Sequence, residues 1–419
     1  MGESPWKFES SWPHHHEQNV IPLGGPADGI ALMAWPGLAS ISTDGALLCI
    51  EYPRVEFSLA VSPVPLPVYL NAIGTAVPDH DVHHAFIAWA RARIEPASAR
   101  VFERMATRSG ISHRWSVLPV SADGGSPVDA GGFYADDPHP GTADRMAIYA
   151  AAAPDLALSA IASLGDMVQL DGITHLVVAS CTGFVAPGID QIIARRLGLS
   201  HDVERLLVGF MGCYAAVAAL RSARHIVRSD PTARVLVVTV ELSTLHLQAA
   251  TAIEPLLAML QFGDGAAAAL VSADPTGFAI ETPFAATLPD SHDLIRWDIT
   301  DHGFAMHLSG EVPGRIASAL TDGAFATAAT GGQDPTTIDG WAVHAGGRSI
   351  LDAVANSLHL PADALAASRD VLADNGNMSS ATLMFVLARM LDGPRVTRGV
   401  ALAFGPGLAA EGFGFRSAP

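Results

Sequence analysis

Gly209-Phe210-Met211-Gly212-Cys213-Tyr214-Ala215-Ala216-Val217-Ala218-Ala219-Leu220 reads as the end of a strand, a tight glycine turn and a helix of small residues, with a thiol in the first helical turn. The start of a helix offers free backbone N–H groups and the positive end of the macrodipole, and both favour thiolate over thiol. Cys213 is therefore a candidate nucleophile. The alanine run after it lets backbone approach backbone, so this helix is expected inside the fold, where it holds the thiol rigidly. A buried structural cysteine is the alternative reading, because free cysteine is among the most commonly buried residue types.

Outward from this unit the same alternation recurs. Upstream, the pattern predicts strands at residues 68–73, 175–180 and 205–210, with helices at 82–94, 97–109, 142–164 and 189–197. Residues 120–139 are rich in Gly, Pro and Asp and read as loop. Downstream, the helix runs to about Val227, a strand follows at 233–242, a helix near 253–260, and Phe262-Gly263-Asp264-Gly265 leads into an apolar strand at 266–272. Apolar strands alternating with helices indicate buried sheet covered by helices on both faces.

The second half repeats the plan. After a strand-rich region at 278–308 and a helix at 312–327, Asp339-Gly340-Trp341-Ala342-Val343-His344-Ala345 echoes the stretch from Asp171 to Ala179. Likewise Thr397-Arg398-Gly399-Val400-Ala401-Leu402-Ala403 echoes the stretch from Thr232 to Val238. One α/β domain of two related halves is expected, with strand ends from both meeting at a central site. Residues 1–66 differ in texture, with frequent Pro, Gly and Trp, and read as an extension outside the main fold, with a hairpin as one option. There His14, His15 and His16 are read as incidental rather than metal-binding, and Met33 offers an alternative start. The expected division is 1–66, 67–285 and 286–419.

At 419 residues and 49% hydrophobic, with a mean hydropathy of +0.30, the chain can bury a large core. Runs of 18 apolar residues free of charge or turn signals are absent from the sequence, which argues against a membrane span. A net charge of −18 argues against binding nucleic acid through a broad basic face. An anionic ligand must then be met by a local basic cluster. The three cysteines, Cys49, Cys181 and Cys213, lack metal-ligand spacing and follow no secretory signal, so a reducing, cytoplasmic setting is expected.

Two further stretches look like active-site material. His344 ends an apolar strand just before Gly346 and Gly347, and Asn377 lies in Gly376-Asn377-Met378-Ser379-Ser380, a turn opening a helix at 381–390. Singly, each has a structural alternative: a hydrogen-bonded core histidine and a helix cap. Together with Cys213 they supply a nucleophile for a thioester and two donors for the oxyanion that forms when a carbonyl is attacked or an enolate is generated.

At this point the chain from Val68 to Ser417 resembles the type III polyketide synthases, the chalcone synthase superfamily on the thiolase fold. The motifs that carry the resemblance are Gly212-Cys213-Tyr214-Ala215, His344-Ala345-Gly346-Gly347, Gly376-Asn377-Met378-Ser379-Ser380, Phe262-Gly263-Asp264-Gly265-Ala266 and Ala403-Phe404-Gly405-Pro406-Gly407. The spacing of 33 residues between His344 and Asn377 (377 − 344) suits the family. The resemblance implies a layered αβαβα architecture and a homodimer. It also implies an acyltransferase that loads an acyl-CoA starter on Cys213, extends it iteratively with malonyl-CoA and cyclises the product, with no metal or prosthetic group. His344 would hold the thiolate as an ion-pair partner and, with Asn377, orient malonyl-CoA and stabilise the enolate.

Carried over position by position, the resemblance places Phe262 at the junction of the CoA tunnel and the cavity. Its usual aromatic partner is replaced by Met306, which leaves a gate of two rings in doubt. Cys181, Thr182, Ser243, His246 and Ser379 fall at cavity positions, and Gly405 and Pro406 in the cyclisation loop. Ala186 falls at the tip of a loop that closes the partner subunit's cavity. Arg104 and Arg108, four residues apart on one helix face, match positions that meet the phosphates of CoA; a solvated basic face is the alternative there. Met306 and Ala186 tilt the expected product toward alkylpyrones or alkylresorcinols from fatty acyl starters rather than chalcones. The rival is a ketoacyl synthase III-like enzyme that performs one condensation, and a non-enzymatic acyl-CoA-binding protein is the third reading.

Overall fold

The apolar runs Val235–Leu242 and Asp264–Ser272 are buried along their whole length, as strands covered on both faces must be. The structure, a computed structural model, describes residues 66–121 and 123–419. The expectations placed on the hairpin, the histidine triplet, Cys49 and Met33 lie outside the described residues.

The strands are β1 (Tyr69–Ala76), β2 (His80–Asp81), β3 (Trp115–Ser116), β4 (His175–Ser180), β5 (Glu204–Gly209), β6 (Val235–Leu242), β7 (Asp264–Ser272), β8 (Phe278–Thr287), β9 (Ile295–Thr300), β10 (Gly303–Leu308), β11 (Gly340–Val343), β12 (Gly399–Gly405) and β13 (Ala409–Ser417). The helices are α1 (His83–Arg91), α2 (Pro96–Arg108), α3 (Thr142–Gly165), α4 (Ile189–Leu197), α5 (Ala215–Ser229), α6 (Ile253–Met259), α7 (Val312–Thr321), α8 (Gly323–Ala329), α9 (Arg348–Ser357), α10 (Ala366–Asn375) and α11 (Ser380–Leu391).

Among the described residues nine strands form one mixed sheet in the order β11-β12-β13-β8-β1-β7-β6-β4-β5. Its two halves follow the same scheme. β4 and β6 are parallel, β6 and β7 antiparallel, β7 and β1 antiparallel. In the second half β11 and β12 are parallel, β12 and β13 antiparallel, β13 and β8 antiparallel. The strand pair β4/β6 and the strand pair β11/β12 are the stretches whose sequences echo each other. A short antiparallel pairing of β1 with β8 joins the halves.

Three cores separate the layers. α5 and α11 lie in the middle, packed on strands of both halves, and α11 is apolar and buried almost all round, as a central helix must be. α3 and α4 cover the outer face of the first half, and α7, α9 and α10 that of the second. The result is αβαβα. α3 meets the length and hydropathy of a membrane span but packs Tyr149, Ala153, Ala157, Ala160 and Leu164 into the core over β1, β6 and β7. Its closest approach is at Gly74, where a Cβ would stand 2.1 Å from the Leu164 nitrogen.

Two differences from the expected elements have local causes. The helix expected at 312–327 breaks into α7 and α8 because Asp322 turns to extended backbone and its carboxylate accepts from the Ala324 N–H at 2.9 Å, capping a new helix. α9 and α10 were not expected; their apolar positions, such as Ile350, Leu351 and Val354, are few and become a stripe only against the second half of the sheet.

Candidate active site

Cys213 stands in a single 3-10 turn, Gly212–Tyr214, between the end of β5 and α5. The turn is tight: Phe210 and Gly212 have φ of 56° and 75°. A Cβ on Gly212 would meet Pro406 Cδ at 2.4 Å, and one on Gly405 would stand 3.2 Å from the Cys213 nitrogen. Only glycine at these two positions lets the β12–β13 connection close over the thiol.

His344 follows β11 directly, and its backbone N–H donates to Leu402 at 2.8 Å. The side chain is 1% exposed, yet neither ring nitrogen has a hydrogen-bond partner among the described residues. A satisfied core histidine is thereby excluded. Asn377 is tied by its backbone to the Phe262 segment, its N–H donating to Gln261 at 2.7 Å and its carbonyl accepting from Gly263 at 3.1 Å. Its side-chain oxygen accepts from the Ser379 N–H at 2.8 Å, and one amide hydrogen donates to the Gly346 carbonyl at 3.3 Å. The N-cap of α11 is Ser379, not Asn377.

Ser379 itself has φ of 47°, a left-handed conformation that costs a non-glycine residue about 1–3 kcal/mol. That backbone sets its hydroxyl 3.8 Å from Cys213 Sγ and 3.2 Å from Cys181 Sγ. Beneath them lies Glu241, fully buried. Its Oε2 accepts from the Cys181 backbone N–H at 3.0 Å, the Cys181 thiol at 3.3 Å and the Thr182 hydroxyl at 2.9 Å, and Oε1 accepts from Ser380. Burial raises the Glu241 carboxyl to about 7, against the hydrogen bonds that pull it down.

Burial also governs the two central groups. It pushes the Cys213 thiol up to about 12, with Ser379 acting in the opposite direction, and holds the His344 imidazole down to about 3. The depression expected from the helix start is outweighed, because desolvation of a thiolate in a closed cavity is the larger effect. The thiol and imidazole share a cavity but make no hydrogen bond to each other.

That cavity is lined by Cys213, His344 and Asn377 together with Cys181, Thr182 and Ser379, and Gly405 and Pro406 form another part of its wall. A second chamber adjoins it, walled by apolar groups such as Phe86, Leu118, Tyr134, Leu247 and Met259. Ser243, Phe262, Trp297 and Met306 line both spaces and form the waist between them. Trp297 is a site residue the sequence reading missed. It faces Met306 directly in the β9–β10 register, and its indole N–H donates to the Cys181 carbonyl at 2.9 Å. An aromatic ring thus stands beside Met306, on the neighbouring strand.

His246 reaches only the second chamber. Its Nε2–H donates to the Thr182 carbonyl at 2.7 Å and its Nδ1 accepts from the Phe304 N–H at 3.0 Å, so the ring is neutral and both nitrogens are occupied. It shapes the chamber with its face. Ala186 is exposed and lines neither space, and Arg104 and Arg108 are exposed on one side of α2, away from both.

Two related α/β halves that bring a thiol, an imidazole and a carboxamide to one cavity define a condensing enzyme of the thiolase fold. Residues 66–275 match the N-terminal domain of the chalcone and stilbene synthases and residues 280–419 their C-terminal domain, and the chain belongs to this family. It is 36% identical over 285 residues to the alpha-pyrone synthesis polyketide synthase-like Pks18 of Mycobacterium tuberculosis, covering 65% of this chain and 72% of that one. To type III polyketide synthase C of Arabidopsis thaliana it is 34% identical over 265 residues, 59% of this chain and 68% of the relative. Among solved structures, the C-terminal type III polyketide synthase domain of Steely1 from Dictyostelium superposes with a TM-score of 0.76 at 27% identity, over 84% of this chain and all of that one. PKS-I from the brown alga Ectocarpus siliculosus does so with a TM-score of 0.76 at 28% identity, over 85% and 100%. The protein is accordingly a type III polyketide synthase, an acyltransferase.

Proposed function

We propose that the enzyme loads a fatty acyl starter from its CoA thioester onto Cys213, extends it by repeated decarboxylative condensation with malonyl-CoA, and closes the product as an alkylpyrone or alkylresorcinol. The observation that carries this reading is the convergence of Cys213, His344 and Asn377 on a cavity that shares the wall of Ser243, Phe262, Trp297 and Met306 with a mainly apolar chamber.

Burial disfavours a lone thiolate and a lone imidazolium in this cavity, but not the two together. Transfer of the Cys213 proton to His344 creates both charges at once, where low dielectric makes their attraction strong, so the pair titrates as a unit. The thiolate attacks the starter carbonyl, the oxyanion is held by N–H donors of His344 and Asn377, and CoA departs with a proton. When malonyl-CoA replaces it, the carboxylate leaves as carbon dioxide and the electron pair passes to the thioester carbonyl. The resulting enolate is held by the same two donors, so no strong base is required. Its carbon attacks the Cys213 thioester carbonyl, the acyl–sulfur bond breaks to release the Cys213 thiolate, and the lengthened chain, now a β-ketoacyl-CoA, is transferred back to that thiolate with release of CoA. Thiol, imidazole and amide suffice for this chemistry, and the reading assigns no metal or prosthetic group.

The starter preference follows from the second chamber. Its walls offer mainly hydrocarbon, each buried CH₂ of an acyl chain gaining about 0.8 kcal/mol, and Met306 at the waist is flexible. The name of the mycobacterial relative, alpha-pyrone synthesis polyketide synthase-like Pks18, points the same way. Arg104 and Arg108 are assigned to the phosphates of CoA. A homodimer is assigned to the free edge of β5, where Leu206 and Leu207 are 42% and 44% exposed, with Ala186 serving the partner's cavity. A reduced cytoplasmic setting keeps the thiols free.

The test is incubation with malonyl-CoA and a panel of aromatic and C6 to C18 acyl-CoA starters, read by accurate mass. Products with two or three acetate units on a long-chain starter are expected. p-Coumaroyl-CoA turned over far faster than any fatty acyl-CoA removes the starter assignment, and single-extension products alone favour a ketoacyl synthase III-like activity.

A further inference from the structure

The second chamber contains a charge to which a plain hydrocarbon chain gives no task. Arg114, in the connection between α2 and β3, is 3% exposed and lines that chamber beside Val82, Phe86 and Phe262. Its guanidinium lies over the Phe86 ring, 4.6 Å from the centroid. Nε donates to His83 Nδ1 at 3.0 Å, and Nη1 donates to the carbonyls of Met259 at 3.1 Å and Phe262 at 2.9 Å. Nη2 is buried and has no partner among the described residues.

The charge is likewise uncompensated. Asp81 is engaged with the backbone N–H groups of Arg114 and His83 and with the His113 ring, and Asp264 with Thr244 and the Val117 N–H. Neither carboxylate bonds the guanidinium. Burial lowers Arg114 to about 10, which leaves it charged at neutral pH. A buried donor is almost always paired in a folded protein, and a buried charge is costly without a partner. The same combination, a buried side chain on a cavity wall with unpaired nitrogens, marks His344 in the catalytic cavity. Since the chamber's own side chains leave Nη2 open, its acceptor must arrive with what the chamber holds. Phe262 lines both spaces and its carbonyl is bonded to Arg114, so the guanidinium stands beside the path of an acyl chain running from Cys213 into the second chamber.

We infer that the second chamber takes acyl chains ending in a carboxylate, supplied as CoA monothioesters of straight-chain dicarboxylic acids, and that Arg114 Nη2 donates to that carboxylate. The inference deepens the fatty acyl reading above and rests on it. A hydroxyl or keto oxygen would pair the N–H but leave the charge; a carboxylate answers both, through a charge-assisted hydrogen bond.

The experiment measures acyl loading on Cys213 by intact-protein mass spectrometry, without malonyl-CoA, from equimolar pairs matched in length: adipoyl-CoA with hexanoyl-CoA, and so on up to dodecanedioyl-CoA with dodecanoyl-CoA. Wild type is expected to favour the dicarboxylic member at the chain length that brings the carboxylate to Arg114. Arg114→Leu is expected to cut the ratio at that length about tenfold or more, the range for a hydrogen bond to a charged group. Arg114→Lys, which keeps the charge, retains part of the preference. Each reading is a ratio taken in one reaction, so a general loss of activity in a variant cancels. Equal loading, or preference for the monocarboxylic member, at every length in wild type overturns the inference while leaving the acyl-CoA reading intact, whether or not the variants fold. A ratio unchanged in Arg114→Leu overturns the role of Arg114. Wild type that loads no member of any pair overturns the acyl-CoA reading and the inference with it.

Discussion

Glu241 shows how a single residue is changed by its surroundings. In sequence it is one acid among 42 acidic residues. In the fold it is buried beneath Cys181, Thr182 and Ser380, and its carboxyl is raised from 4.5 to about 7. A raised acid binds its proton in the folded state where the unfolded chain has lost it. Its contribution to stability is therefore present below about pH 4.5 and is lost as pH rises toward 7, by on the order of 3 kcal/mol over the window. Replacing the titrating group removes that slope. Glu241→Gln is expected to gain stability relative to wild type between pH 5 and pH 8, read as the difference of their denaturant midpoints at each pH. A pH-independent difference would mean that Glu241 is ionised throughout. Cys213, His344 and Asn377 were legible as candidates because thiol, imidazole and amide stand beside glycines at turns. Glu241 was not, because nothing local marks an acid that other elements will cover.

Among the elements, the β9–β10 hairpin contributes Trp297 and Met306 to the wall that both chambers share. The sequence places Met306 where the aromatic partner of Phe262 usually stands and leaves a gate of two rings in doubt. The register supplies Trp297, directly opposite and anchored through its indole N–H to the Cys181 carbonyl. Cross-strand neighbours on one face stand about 4.5–5.5 Å apart at Cβ, close enough for the two side chains to act together. Trp297→Ala removes the ring and its anchor and widens the waist. Products from C14 to C18 starters are expected to rise severalfold relative to those from C6 and C8 starters, measured by competition in one reaction. An unchanged chain-length profile would show that the waist does not select. This pairing was hidden in the sequence, since strand register depends on which face of the hairpin is buried and on the turn at Gly303.

Across the whole molecule, β5 is the exposed edge of the sheet. An uncovered edge strand with Leu206 and Leu207 outward, and Phe184 beside it at 47% exposure, is a surface that pairs with another chain unless it is charged or covered. Leu206→Lys places a charge there. The variant is expected to elute as a monomer under light scattering where wild type is a dimer, and to lose most of its activity if the loop of Ala186 completes the partner's cavity. A monomeric wild type would remove the dimer assignment outright.

The strand–turn–helix around Cys213, the echo of β4 and β6 in β11 and β12, and the Gly-flanked His344 and Asn377 are local patterns. Periodicity, glycine and small-residue runs fix such patterns within a dozen residues, so the αβ alternation, the two related halves and the chemical groups at the centre are legible in the chain alone. The meeting of layers and strands is what lets Ser379 bridge two thiols, buries and raises Glu241, and sets Trp297 opposite Met306. Each of these depends on residues far apart in the chain meeting across a layer or a strand pair. Burial and desolvation, which set their properties, exist only once those layers have closed.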